Sequence, residues 1–127
     1  MSNVSSLAQA ACLAYFETFL PTLRNQLLIE DLRDLSCAFA FRIFDSGMPP
    51  WRAVVHEGRL TEVGQEGPEP QCVFVCDMQT MLAVVSGGLP PQEAFFAQRV
   101  EMEGDLELAL RLAMMLAPFF ERFPFKP

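Results

Sequence analysis

The spacing of apolar residues changes along this chain, and each change marks a new element. Leu13, Phe16 and Leu20 fall at i, i+3, i+7, and Leu20, Leu23 and Leu27 repeat the spacing. That period predicts a helical N-terminal part over residues 1–36, capped by Ser6, bent or restarted at Pro21 and ending near Leu35. At Cys37 the period falls to two. In CAFAFRIFD, Cys37, Phe39, Phe41 and Ile43 share one face, while Ala38, Ala40, Arg42 and Phe44 share the other, as in a β-strand. Turn signals at Asp45-Ser46-Gly47 and Pro49-Pro50 separate it from a second strand, WRAVVHEG. Leu60 to Val63 is its continuation or a third strand after the tight turn at Glu57-Gly58. Short links make such strands antiparallel neighbours. A polar loop over residues 64–70 precedes a strand at Gln71–Cys76, and Asp77 is placed to cap a short helix in MQTMLAVVSGG.

The last third carries the unusual pattern. After a helical turn at Gln92–Ala97, residues Gln98–Glu103 alternate, with Val100 and Met102 inward and Arg99, Glu101 and Glu103 outward. Gly104 allows a turn and Asp105 caps a helix over Leu106–Ala117, closed or kinked by Pro118. Only Glu107 and Arg111 are charged in that helix, and they mark its wet side. A globular helix needs one apolar stripe, not almost its whole surface. The excess must face a sheet, a partner or a lipid. The order of elements predicts a single α+β domain over residues 1–127, with residues 37–127 supplying the sheet and the C-terminal helix.

Composition narrows what such a domain does. Twelve Phe and seven Met stand against one Trp and one Tyr, which gives a large, adaptable interior. The net charge of −7 and the lack of a basic cluster exclude nucleic acid as the main partner and disfavour an anionic bilayer as more than a peripheral contact. No uncharged apolar run is long enough to span a membrane, and no signal peptide is evident, so a cytoplasmic protein is expected. Cys12, Cys37, Cys72 and Cys76 read as buried thiols in that compartment.

No catalytic constellation emerges. His56, the single histidine, lies in a predicted strand beside Glu57, and strand neighbours face opposite sides. Cys72 and Cys76 are spaced C-x3-C, which is neither the redox pair nor a usual zinc half-site. Gly87-Gly88 and Gly64/Gly67 lack the residues that follow phosphate loops. Glu30/Asp31 and Glu101/Glu103 are carboxylate pairs with nothing convergent beside them. No enzyme, cofactor or metal is therefore expected. Hydrophobic binding is left, with Met81 and Val85 of the short helix, Phe95 and Phe96, and Leu108, Leu112, Met115 and Phe119 of the last helix as candidate lining residues. The same side chains could equally fill an ordinary core or a dimer seam.

The segments CAFAFRIFD, WRAVVHEGRL, QCVFVCDMQTMLAVVSGG and AFFAQRVEMEGDLELALRL together resemble the sterol carrier protein 2 (SCP-2) domain family across residues 35–117. Ala94, Phe95, Phe96, Gln98, Arg99, Gly104 and Asp105 carry the match. The wording is closest to the bacterial branch that assists ubiquinone biosynthesis. Where that branch has F-F-Q-R-R, this chain has Phe95-Phe96-Ala97-Gln98-Arg99; Leu106 and Ala109 replace its Thr and Gly in E-G-D-T-E-L-G-L. The resemblance implies a five-stranded, mostly antiparallel twisted sheet covered on one face by helices. It also implies a tunnel that carries an acyl chain, a sterol-like molecule or an isoprenoid quinone intermediate without catalysis. The alternative is a scaffold or accessory subunit of quinone or lipid metabolism, dimeric or bound to a complex through its C-terminal aromatic tail.

Overall fold

The computed structural model describes residues 3–27 and 33–126. Its strands are β1 (Cys37–Ile43), β2 (Trp51–His56), β3 (Arg59–Gly64), β4 (Cys72–Cys76) and β5 (Glu101–Gly104). They form one five-stranded sheet in the order β3-β2-β1-β4-β5. All neighbours are antiparallel except β1 and β4, which run parallel with Phe39 opposite Cys72 and Phe41 opposite Phe74. The α+β architecture expected from the sequence is the one observed, with α1 (Asn3–Ala14), α2 (Met78–Val85), α3 (Pro91–Phe96) and α4 (Leu106–Arg122).

The alternation in the strands decides which face the helices cover. Cys37, Phe39 and Ile43 of β1, Ala53 and Val55 of β2, and Cys72, Phe74 and Cys76 of β4 belong to the buried core. The opposite face carries small residues under long charged ones. Ala40 is buried between Arg42 and Arg52 in register, and Arg42 pairs with Glu103 of the edge strand at 2.5 Å. Arg52 reaches across to the Gly67 carbonyl at 2.6 Å, so the polar loop lies along that face.

Several boundaries differ from expectation. The first helix starts at Asn3, so Ser6 lies inside it and caps nothing. It widens into a π-helical turn at Tyr15–Phe19, where the Leu20 N–H bonds the Tyr15 carbonyl, and then tightens into a 3₁₀ turn at Leu20–Leu23. The wide turn brings Tyr15 and Phe16 into the core, with Phe16 stacked on Trp51 at 5.2 Å. Among the described residues this helical part ends at Leu23 rather than near Leu35. Asn25 takes a positive φ of 68° and donates to the Leu60 carbonyl at 2.6 Å, and Leu27 bridges Arg59, which ties the chain to β3. Residues 28–32 of the expected helix, including Glu30 and Asp31, lie outside the described residues, and residues 33–34 form a turn. β1 ends at Ile43, leaving Phe44 exposed, and β5 begins only at Glu101, because Gln98 turns with φ 61°. α4 runs through Pro118 instead of stopping there. Proline removes one bond, to the Met114 carbonyl, and Met114 is exposed to water that can take its place.

Two carboxylates anchor α2. Asp77 caps it by accepting from the Thr80 N–H at 2.8 Å, and Asp45 of the β1–β2 turn accepts from the Met78 N–H at 2.8 Å. Thr80 holds the Asp77 carboxyl below the usual carboxylate range. The entry into α4 is tighter. Gly104 pairs with Cys72, and the next N–H, that of Asp105, donates to the Gln71 carbonyl at 2.9 Å. Asp105 in turn accepts from the Leu108 N–H at 3.0 Å as the helix cap. Gly104 has φ +86°, and a Cβ there would stand 2.5 Å from the Gln71 carbonyl oxygen. Both conformation and space therefore demand glycine.

Gly104→Ala should lower unfolding free energy by more than ~1 kcal/mol, because strain and backbone overlap add. Asp105→Ala should cost ~1 kcal/mol, the usual value of a lost cap. Urea unfolding followed by fluorescence of Trp51, the chain's single tryptophan, measures both. Equal stability of Gly104→Ala and the parent would refute the close-approach account.

Candidate functional site

The interior between sheet and helices is not completely filled. One cavity of about 40 Å³ lies among Phe41, Phe74, Cys76, Met81, Val84, Pro91, Val100, Met102, Ala113, Leu116 and Phe120. A second, of about 20 Å³, lies towards the first helix and is lined by Tyr15, Leu20, Phe39, Ala53, Leu60 and Phe119 together with Phe41, Leu116 and Phe120. Those last three side chains belong to both linings. They form a partition between the two spaces.

The phase of α4 explains the gap. Its buried face is Ala109, Leu112, Ala113, Leu116, Phe119 and Phe120. Two alanines near the start of that face bring the helix close to the sheet, and the short side chain of Ala113 leaves the first cavity unfilled. The surplus apolar residues point elsewhere. Leu106, Leu110 and Met114, at i, i+4, i+8, are 54%, 42% and 62% exposed and make an outward stripe beside Glu107 and Arg111.

The eight residues singled out from sequence are distributed unevenly. Met81 lines the first cavity and Phe119 the second. Val85 and Leu112 are fully buried in the core but touch neither space. Leu108 and Met115 are half-buried along the border of the α4 face. Phe95 and Phe96 flank an outer groove of about 650 Å³, with Gln98, Val100, Glu101, Met102 and Glu103, and Phe96 is 78% exposed. The partition residues Phe41, Leu116 and Phe120 were not singled out. Their signal was available in part: Phe41 sits on the inward face of β1, and Leu116 and Phe120 are one position beyond the Met115–Phe119 stripe chosen by spacing.

The lining is apolar apart from the Tyr15 phenol of the second cavity, and its one sulfhydryl, Cys76, is neutral. Burial pushes the thiols of Cys72 and Cys76 up to about 12, and those of Cys12 and Cys37 up to about 11. All four are free and buried. Burial also raises the Tyr15 phenol well above its ordinary value. His56 is exposed, 3.8 Å from Glu57 and 3.5 Å from the Ser36 hydroxyl, remote from both cavities. Among the described residues no group of three or more His, Cys, Asp or Glu is placed to hold a metal, and no helix is long and apolar enough to cross a membrane.

Likeness to known proteins agrees with this geometry. The family described as the SCP-2 sterol transfer family matches residues 16–117. No curated protein sequence matches the chain. A crystal structure of sterol carrier protein 2 superposes with a TM-score of 0.59 at 18% identity, covering 91% of this chain and 92% of the other. Palmitated SCP2L2 from Aedes aegypti gives 0.55 at 24% identity, over 66% of this chain and 75% of that one. A UbiJ-SCP2 ubiquinone synthesis protein gives 0.52 at 15% identity, over 93% and 92%. At such identities the superpositions show a shared fold.

The buried thiols generate a test. Their folded pKa values lie above the ordinary value of about 9, so the folded state keeps protons that the unfolded state releases. The stability they contribute is complete below about 9 and is lost as pH rises towards 12. Urea midpoints at successive pH values from neutrality upward should fall on the alkaline side, and a thiol reagent should label the native protein far more slowly than the unfolded one. Rapid native labelling of all four cysteines would contradict the burial.

Proposed function

The chain belongs to the SCP-2 sterol transfer family, and from that membership we propose that it holds a hydrophobic lipid chain between its sheet and helices without catalysis. The observation that carries the reading is the pair of apolar cavities divided only by Phe41, Leu116 and Phe120. The cavities are small. Ligand sites usually enclose ~300–1,000 Å³, and an engineered apolar cavity of ~150 Å³ suffices for benzene. A lipid must therefore displace the partition and open a slot as it enters. Each methylene buried returns ~0.8 kcal/mol, so a chain of moderate length can offset the repacking. The lining suits this role, since Met81 and Met102 are adaptable and no ionised group needs to be desolvated.

Among lipid classes, an isoprenoid quinone intermediate is favoured by the Phe95–Leu110 wording, which follows the ubiquinone-assisting branch with the departures noted above. The shared fold of the ubiquinone synthesis protein is compatible with it. An acyl chain or a sterol would meet the same apolar walls. A second reading, an accessory subunit acting through a partner, draws on the exposed Leu106-Leu110-Met114 stripe. The C-terminal tail is less suited to a partner, because Phe125 is buried against Tyr15 and Phe19 at 5.2 Å from each and donates its N–H to the Val85 carbonyl.

Organic extraction of the purified protein followed by mass spectrometry should recover a bound lipid, and an added ligand should raise the melting temperature in proportion to its concentration over Kd. Ala113→Leu should fill the first cavity and abolish uptake of an apolar fluorescent probe while the protein stays folded. No extracted lipid, together with no uptake of acyl, sterol or quinone probes, would defeat the carrier reading. Leu110→Glu separates the second reading: it should leave probe uptake intact and dissolve any assembly detected by size measurement.

A further inference from the structure

The first cavity and the outer groove share two lining residues, Val100 and Met102. The interior space and an open channel bounded by α3 and the edge strand β5 therefore adjoin at these side chains. The groove offers an apolar bed, Phe95 and Phe96, whose rings meet edge to face at 5.7 Å. Its polar groups are Gln98, Glu101 and Glu103. No cation lines it. Arg99 is the nearest in sequence, yet its Nε is turned to the buried Thr80 hydroxyl at 3.2 Å, and its charge acts on Asp77 instead. Arg42 pairs with Glu103 from the outer face of the sheet, and among the described residues Glu101 has no ion-pair partner.

We propose that this groove is the mouth of the site and the seat of the ligand's head group, and that it selects a lipid whose head is an uncharged hydroxyl or carbonyl. The inference rests on the reading that the interior cavity holds the chain. A carboxylate or phosphate seated between Phe95 and Glu101 would face a carboxylate with no cation to offset it. An alcohol or ketone oxygen would instead meet the Gln98 amide, which supplies one donor group and one acceptor. Gln98 is held at the mouth by its left-handed backbone, φ 61°, and by its N–H to the Phe95 carbonyl at 3.0 Å. Val100 and Met102 are then the gate, with the chain passing beneath them towards Phe41 and Phe120.

The test is competition against an apolar fluorescent probe in the full chain, with tetradecanol and tetradecanoate as chain-matched ligands below their aggregation limits. The alcohol should displace the probe at about tenfold lower concentration than the carboxylate, the scale of one uncompensated charge at a partly exposed site. Glu101→Gln should narrow that ratio by tightening the carboxylate, with circular dichroism confirming an intact fold. Equal or tighter binding of the carboxylate by the parent protein would overturn the proposal, as would a Glu101→Gln variant with the same ratio. Displacement by neither ligand is a distinct failure: it removes the interior site, and the head-group proposal falls with it. Displacement by both, in the reverse order of affinity, leaves the interior site standing and defeats only the selection.

Discussion

The close approach of two backbones at Gly104 and Gln71 fixes the geometry of everything that lines the interior. The Gln71 carbonyl accepts the Asp105 N–H at 2.9 Å, and this is possible only because no Cβ stands at position 104. The contact sets the end of β5 against the start of β4. Asp105 then caps α4 immediately, so the helix leaves the sheet edge in a fixed direction. That direction lays Ala109, Ala113, Leu116 and Phe120 over Phe74 and Phe41. The other end of the helix is tied as firmly, since the chain after α4 returns to α2 through Phe125. A helix pinned at both ends over aromatic strands, with alanine where a leucine would fill the space, leaves a defect in packing rather than an open tube.

Much of this was written in the periodicities. The inward set of β1, the cap at Asp77, the turn at Gly104 and the inward pair Val100 and Met102 all follow from local spacing, because local bonding and burial on one face decide them. The misses have a common cause in tertiary contacts. Leu27 and Asn25 look helical until β3 offers them hydrogen bonds. The π-helical turn at Tyr15–Phe19 is set by the place Phe16 finds on Trp51, which spacing does not reveal. On α4 apolar residues surround all but the stripe of Glu107 and Arg111, so composition could not choose the buried face among them. The chosen stripe, Leu108, Leu112, Met115 and Phe119, shares Leu112 and Phe119 with the buried face and has Leu108 and Met115 half-buried at its border.

The same ambiguity explains where the surplus apolar surface of α4 went. It does not line the cavity. Leu106, Leu110 and Met114 face outward, while the interior walls come from the strands, α2 and the alanine-bearing face of the helix. Apolar walls and apolar exterior are thus separate properties of one helix. Filling the first should change ligand uptake, and charging the second should change association.

A domain built this way trades packing for capacity. Native interiors are filled about as densely as organic crystals, and a void lined by Phe and Met loses dispersion contacts on its open side. The loss is limited here because the spaces are small and the rings of Phe41 and Phe120 lean into them. Incoming hydrocarbon would replace those contacts with its own, so the opened state need not be much less favourable than the closed one. What keeps the fold intact during that exchange is the rigid frame around the slot. The β1–β4 pairing, the doubly capped start of α2 and the Gly104–Asp105 corner hold the backbone. The neutral thiol of Cys76 fits the same logic, because a group whose ionisation is pushed up to about 12 adds no charge to a space that must accept hydrocarbon.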